Sequence, residues 1–279
     1  MNTVEFNTII RKMKKNNRGI HGYFEYGNGN NTKHLKSDWY KNKIDGKYDK
    51  KKINKNELKG IIAKIRNKEI HGMNVTVPFK KDIIPFLDKL SPEAEETKSV
   101  NTIYLKNDKV VGHNTDIGGF ERAIKITGYR FLNKKILILG AGGVVPSIIC
   151  SLNKMKVSKI MISNRTKKKA EDLKTTFKNL TIVDWGKVPE FDMIINATSV
   201  GLKNGDDLNL NFSELDNNKF YYDVIYNPKE TNFLRDARMR GNKTINGQMM
   251  FLVQAREAFR IWTNITPKID DEVIGLLNK

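Results

Sequence analysis

From about residue 118 onward, short apolar runs alternate with stretches whose apolar residues recur at helical spacing. Residues 135–139, 159–163, 181–183, 193–196 and 221–224 read as strands. Helices are expected up to about Lys125, after Gly143 and from Lys167. Strand and helix in alternation build a parallel sheet with helices on both faces. The earlier half is more mixed. Leu58, Ile61, Ile62 and Ile65 predict a helix over 55–68. Residues 71–77 read as a strand that ends at Pro78, since proline brings no N–H to a sheet ladder. A helix is expected over 80–90, and Ser91-Pro92 reads as the start of the next. Strands at 100–105 and 109–111 flank an Asn107-Asp108 turn, and Tyr23 to Tyr26 reads as a strand entering the Gly- and Asn-rich run 27–31. Near the termini, Phe6, Ile9, Ile10 and Met13 predict a short basic amphipathic helix within 1–21. Met249, Leu252, Val253, Phe259 and Trp262 predict a longer one. Two α/β domains account for the pattern.

Composition narrows the classes. The 279 residues are 39% hydrophobic and 29% charged, which fits a folded globular chain rather than a disordered one. One cysteine, Cys150, excludes an intrachain disulfide framework, so a reducing, cytoplasmic setting is expected. The longest apolar stretch, 136–150, is broken by glycines, Pro146 and Ser147 and is too short for a bilayer. The opening MNTVEFNTIIRKMKK has no uninterrupted apolar core, so neither a signal peptide nor a membrane partner is expected. Fifty Lys and Arg against 31 Asp and Glu give a net charge of +19, which would suit nucleic acid. A nucleic-acid groove, however, concentrates its cations and interleaves them with stacking aromatics. Here Lys and Asn crowd the whole chain, so no nucleic-acid partner is expected.

The sharpest local feature is Ile136-Leu-Ile-Leu-Gly140-Ala141-Gly142-Gly143-Val144. An apolar strand runs into a glycine turn and then a helix, where backbone N–H groups and the helix dipole attract a pyrophosphate. The spacing is Gly-x-Gly-Gly, with Val145 where a further glycine often falls. One βαβ unit later comes Ser163-Asn164-Arg165-Thr166-Lys-Lys-Lys169. NAD sites usually place an acid here, whereas a cation accommodates a 2′-phosphate, so Arg165 and Lys169 point to NADP. Lys167 and Lys168 read as a solvated helix start. In the first half, Asn74-Val-Thr76-Val-Pro-Phe-Lys80 brings a lysine, Val100-Asn101-Thr102 an amide and Gly112-His-Asn-Thr-Asp116 an acid. A lysine steadied by a carboxylate can give and take a proton. Four histidines and one cysteine offer no metal-ligand spacing, so no metal is expected.

In this order, NVTVPFK at 74–80, VNT at 100–102, GHNTD at 112–116, GAGG at 140–143 and NRT at 164–166 resemble shikimate dehydrogenases. NATSVG at 196–201, DVIYNP at 223–228 and GQMMFLVQAREAF at 247–259 complete the series. The resemblance implies NADPH-dependent reduction of 3-dehydroshikimate to shikimate, on the way to the aromatic amino acids. Lys80 would be the catalytic acid/base with Asp116 beside it, and Thr76, Asn101, Tyr226 and Gln254 would contact the substrate. Gly140, Ala141, Gly142, Gly143 and Val144 would hold the pyrophosphate. Asn164, Arg165, Thr166 and Lys169 would meet the adenosine 2′-phosphate, and Val224 and Gly247 would flank the nicotinamide. The architecture implied is a substrate domain of residues 1–115 and 247–279 and a Rossmann-like NADP domain of residues 116–246. A homodimer stays open, since neither fold nor charge specifies an interface.

The resemblance thins towards the N-terminus. The family carries a Gly-Asn-Pro turn and then a Ser-Leu-Ser-Pro segment whose serines bind the substrate carboxylate. Here Gly29 stands in the proline position, and the two-serine segment has no counterpart. Lys33, His34, Lys36 or Ser37 could hold the carboxylate instead. The protein could also prefer a related ring acid such as quinate, or bind NADP with impaired turnover.

Overall fold

The computed structural model describes residues 20–26, 46–203, 205–212 and 217–277. The N-terminal amphipathic segment, the 27–31 run and the alternative carboxylate anchors at 33–37 lie outside the described residues. The chain divides into two compact units, the division falling after Ile117 and again before Leu252.

The first unit contains β1 (Ile20–Tyr26), β2 (Gly46–Lys51), α1 (Leu58–Arg66), β3 (Gly72–Val75), β4 (Lys89–Leu90) and α2 (Pro92–Thr97), followed by β5 (Thr102–Lys106) and β6 (Lys109–His113). The strands form one sheet in the order β2-β1-β3-β5-β6-β4, antiparallel throughout except for the parallel β4–β6 pair. Leu58, Ile61, Ile62 and Ile65 all point inward from α1, joining Met73, Val75, Ile103 and Val110 in the core. The β5–β6 hairpin turns on Asn107 and Asp108, both at positive φ (50° and 56°), a conformation Asn and Asp tolerate well.

Residues 80–90 depart from the expected helix. They form turns, one 3-10 turn at Ile84–Phe86 and then β4. Pro85 is the reason: it has no N–H to continue an α-helical ladder, so Phe86 and Leu87 donate to Ile83 and Ile84, three residues back. The apolar residues still serve the core, with Ile83 buried and Phe86, Leu87 and Leu90 packed against it.

The helix α3 (Asp116–Lys125) leads into the second unit. There follow β7 (Lys135–Leu139), α4 (Val145–Lys154), β8 (Lys159–Ser163), α5 (Lys167–Thr176), β9 (Leu180–Val183), β10 (Met193–Asn196), β11 (Phe220–Asp223), α6 (Asn232–Met239) and β12 (Lys243–Ile245). The sheet is wholly parallel, in the order β12-β11-β10-β7-β8-β9. Burial on both faces explains why β7, β8 and β10 are continuous apolar runs rather than alternating ones. The strand order reverses between β7 and β10, and ligands of such sheets bind outside the carboxyl ends at that reversal.

The helix α7 (Gln248–Thr263) returns the chain to the first unit, and α8 (Asp271–Leu276) follows it. Trp262 of α7 donates its indole N–H to the Ile103 carbonyl of β5 at 3.1 Å, seating the helix on the sheet. Among the described residues, no helix is long and apolar enough to cross a membrane, and no group of three or more side chains is arranged to hold a metal.

Candidate active site

In the first unit, Lys80, Asn101 and Asp116 come together. Lys80 lies just past β3, Asn101 just before β5 and Asp116 at the start of α3. The Lys80 ammonium donates to Asp116 Oδ2 at 2.5 Å, with both side chains about nine-tenths buried (11% and 8% exposed). Asn101 Nδ2 donates to the other carboxylate oxygen, Oδ1, at 2.8 Å. The backbone N–H of Val100 is bonded to the Lys80 carbonyl (2.8 Å), so the lysine and amide segments are fixed to each other.

Behind these three lies a buried polar network. The Asn101 Oδ1 accepts from the Thr115 N–H (2.9 Å) and the Thr102 hydroxyl (3.0 Å), which settles which way the amide faces. Asn74 Nδ2 donates to the Asn101 carbonyl and the Thr102 hydroxyl, and its Oδ1 accepts from the Tyr48 hydroxyl at 2.9 Å. Asn114 accepts the Asp116 N–H and donates to Thr97 Oγ1 and the Ser99 carbonyl. Burial without such partners would cost about 1–3 kcal/mol per group, so the network is what permits a charged pair here. Asn74, Thr102, Asn114 and Thr115 lie inside the sequence motifs, but no periodicity marks them as buried.

The other residues expected at the substrate are spread over both units. Thr76 is half-buried immediately after β3, and Gln254 is buried on α7. Tyr226 belongs to the second unit, its ring stacked on Phe251 at 4.3 Å. Burial pushes its phenol up to about 12, so it stays a neutral donor at physiological pH.

In the second unit, the glycine turn sits at the strand-order reversal. Gly140 follows β7 with φ +103°, and a Cβ there would stand 2.8 Å from the Ala197 carbonyl oxygen beyond β10. Only glycine fits that conformation and that approach. Ala141, Gly143 and Val144 are half-buried, and Gly142 is exposed with only Ala197 O near its absent side chain. The N-cap residue of α4, Val144, brings no side-chain hydrogen bond to the helix's first turn, where the positive end of the helix dipole lies.

At the end of β8, Asn164 donates to the Thr166 carbonyl (2.8 Å), and Thr166 stands at the N-cap of α5. Lys167 pairs with Asp184 and Lys168 with Asp172. Arg165 and Lys169 are exposed and make no ion pair among the described residues, so two uncommitted cations stand between the end of β8 and the first turn of α5. Val224 and Gly247 meet directly: a Cβ on Gly247 would collide with the Val224 carbonyl. The closed-in glycine turn, the uncapped helix and the two cations fit a phosphorylated dinucleotide.

The chain is similar to known proteins. Residues 33–103 match the shikimate dehydrogenase substrate binding domain, and residues 121–203 match the shikimate / quinate 5-dehydrogenase family. The shikimate dehydrogenase (NADP(+)) of Pelagibacter ubique is 52% identical over 256 residues, covering 90% of this chain and 97% of that protein. The crystal structure of shikimate dehydrogenase from Aquifex aeolicus is 37% identical with a TM-score of 0.72, over 81% of this chain and 84% of that one. The Thermus thermophilus shikimate 5-dehydrogenase, solved in complex with NADP(H) and shikimate, is 31% identical with a TM-score of 0.72, over 81% and 85% of the two chains.

Proposed function

The chain belongs to the shikimate dehydrogenase family, and on that premise we propose that Lys80 and Asp116 handle the proton in its reaction. The reaction is the reversible NADPH-dependent reduction of 3-dehydroshikimate to shikimate. The observation that carries the assignment is the buried Lys80–Asp116–Asn101 cluster, in which one carboxylate oxygen faces the ammonium and the other is held by an amide.

NADPH, when bound, supplies the hydride for the ring carbonyl carbon. Lys80 stabilises the negative charge growing on the carbonyl oxygen and delivers a proton from Nζ to it, completing the alcohol. In the oxidative direction Nζ takes the same proton back. Asp116 keeps the ammonium aimed, and Asn101 keeps Asp116 from rotating away. Thr76, Tyr226 and Gln254 contact the substrate in this reading. Gly140 to Val144 receive the pyrophosphate, Asn164, Arg165, Thr166 and Lys169 the 2′-phosphate side, and Val224 and Gly247 the nicotinamide. The uncommitted charges of Arg165 and Lys169 support a preference for NADP over NAD. The cytoplasm is the location that metabolism of this kind and a single buried cysteine support.

The second family match names quinate beside shikimate, which makes quinate the competing substrate. Steady-state NADP reduction with shikimate and with quinate, each repeated with NAD, tests the reading. The expected result is a higher kcat/KM for shikimate than for quinate and for NADP than for NAD. A quinate preference would move the activity to the related ring acid. No turnover with either would refute it.

A further inference from the structure

Asp223 is a carboxylate that the chemistry above does not use, at the end of β11, with no solvent exposure and no cationic partner among the described residues. Three neutral donors from three segments converge on it. The Thr231 hydroxyl, at the N-cap of α6, donates to Oδ2 at 2.7 Å. The Ile225 backbone N–H, in the turn after β11, donates to Oδ1 at 2.9 Å. Asn196 Nδ2, at the end of β10, reaches both oxygens at 3.2 and 3.1 Å.

Each donor leads on to a part of the dinucleotide site. Asn196 turns its own Oδ1 to the Thr198 N–H (3.1 Å) and hydroxyl (2.7 Å), and Thr198 Oγ1 accepts the Val200 N–H. That holds the loop whose Ala197 carbonyl abuts Gly140. On the other side the Ile225 carbonyl accepts the Gly247 N–H at 3.1 Å, where Gly247 lies against Val224. Thr231 ties both to the start of α6. A buried anion is costly, and an apolar residue would fill the space without that cost. What the carboxylate provides is simultaneous acceptance of side-chain and backbone donors from the end of β10, the turn after β11 and the start of α6.

We propose that Asp223 is a positioning residue for the cofactor, setting the Ala197–Thr198 loop against the glycine turn and the Val224–Gly247 wall at the same time. It acts through Asn196 and Ile225 and does not itself touch the dinucleotide. The proposal rests on the NADP reading of this unit.

The test is NADPH titration without substrate, followed by fluorescence or calorimetry, on the wild type, Asp223→Ala, Thr231→Val and Thr231→Ser. Hydrogen bonds to charged groups are worth enough that Asp223→Ala should weaken NADPH binding roughly tenfold or more. Thr231→Val should weaken it less, and Thr231→Ser, which keeps the hydroxyl, should restore wild-type affinity. In turnover, the KM for NADP should rise while the KM for shikimate stays within about twofold, a split that general loss of structure would not produce. Unchanged NADPH affinity in a folded Asp223→Ala overturns the proposal. If that variant does not fold, unchanged affinity in Thr231→Val overturns it equally. Absence of saturable NADPH binding by the wild type overturns the cofactor reading, and the proposal with it.

Discussion

Replacing Asn101 with alanine attacks the cluster at its most connected point. The side chain is 3% exposed, so water does not simply take its place. Truncation leaves the Thr115 N–H without its acceptor and Asp116 Oδ1 without its amide donor. A buried orphan donor costs about 1–3 kcal/mol, and a lost bond to a carboxylate about 1.5–3. The Thr102 and Thr115 hydroxyls stand 3.4 Å apart and can turn to each other, which spares part of the loss. The total is on the order of 3–5 kcal/mol, a large share of the ~5–15 kcal/mol that holds a domain together. With a urea m-value of about 2 kcal/mol/M, the middle of the usual range, the unfolding midpoint of the first unit should fall by roughly 1.5–2.5 M. Trp262, buried in that unit, is a natural fluorescence reporter. The same variant should lose kcat, because Asp116 is no longer held towards Lys80. A midpoint shift under about 0.3 M together with full kcat would refute the network argument.

Other consequences are as specific. Gly140→Ala combines positive φ with a 2.8 Å approach to the Ala197 carbonyl, so strain of about 1–3 kcal/mol should displace the turn; NADPH titration should show weakened binding, and wild-type affinity would contradict the reading. Arg165→Ala should lower kcat/KM for NADP more than for NAD, and equal losses for the two cofactors would remove Arg165 from the phosphate site. Burial raises the Asp223 carboxyl from 3.8 to about 6, so the fold favours its protonated form. Its ionisation therefore opposes folding, fully above about pH 6 and not at all below about pH 4. The stability difference between the wild type and Asp223→Asn should accordingly shift by about 2 kcal/mol in favour of the wild type as pH falls from 7.5 to 4.5. Parallel pH–stability curves for the two proteins would disprove that assignment.

How far the sequence revealed this depended on whether a residue's role leaves a pattern. The strands of the parallel sheet are apolar on both faces, so β7, β8 and β10 stand out as uninterrupted runs. Two other strands do not. Four of the six residues of β2, Gly-Lys-Tyr-Asp-Lys-Lys, are charged, so no apolar period marks this edge strand. β12 is a three-residue edge strand with too few positions to show a period. Residues 80–90 carry helical spacing that a single proline overrides. At the site, Lys80, Asp116 and the glycine turn were legible because their chemistry demands those residue types. Asn74, Thr102 and Thr115 were not, since buried polar residues look like exposed ones until their partners are known. The same holds for Asp223, whose role emerges only when β10, β11 and α6 bring Asn196, Ile225 and Thr231 around it.

The most direct test of the central claim compares Lys80→Ala with the wild type in shikimate-dependent NADP reduction, alongside NADPH titration of both. General acid–base catalysis contributes about 10²–10⁴-fold, so kcat should fall by that amount while NADPH affinity stays unchanged. Near-normal kcat in Lys80→Ala would contradict the assignment of the proton to this lysine.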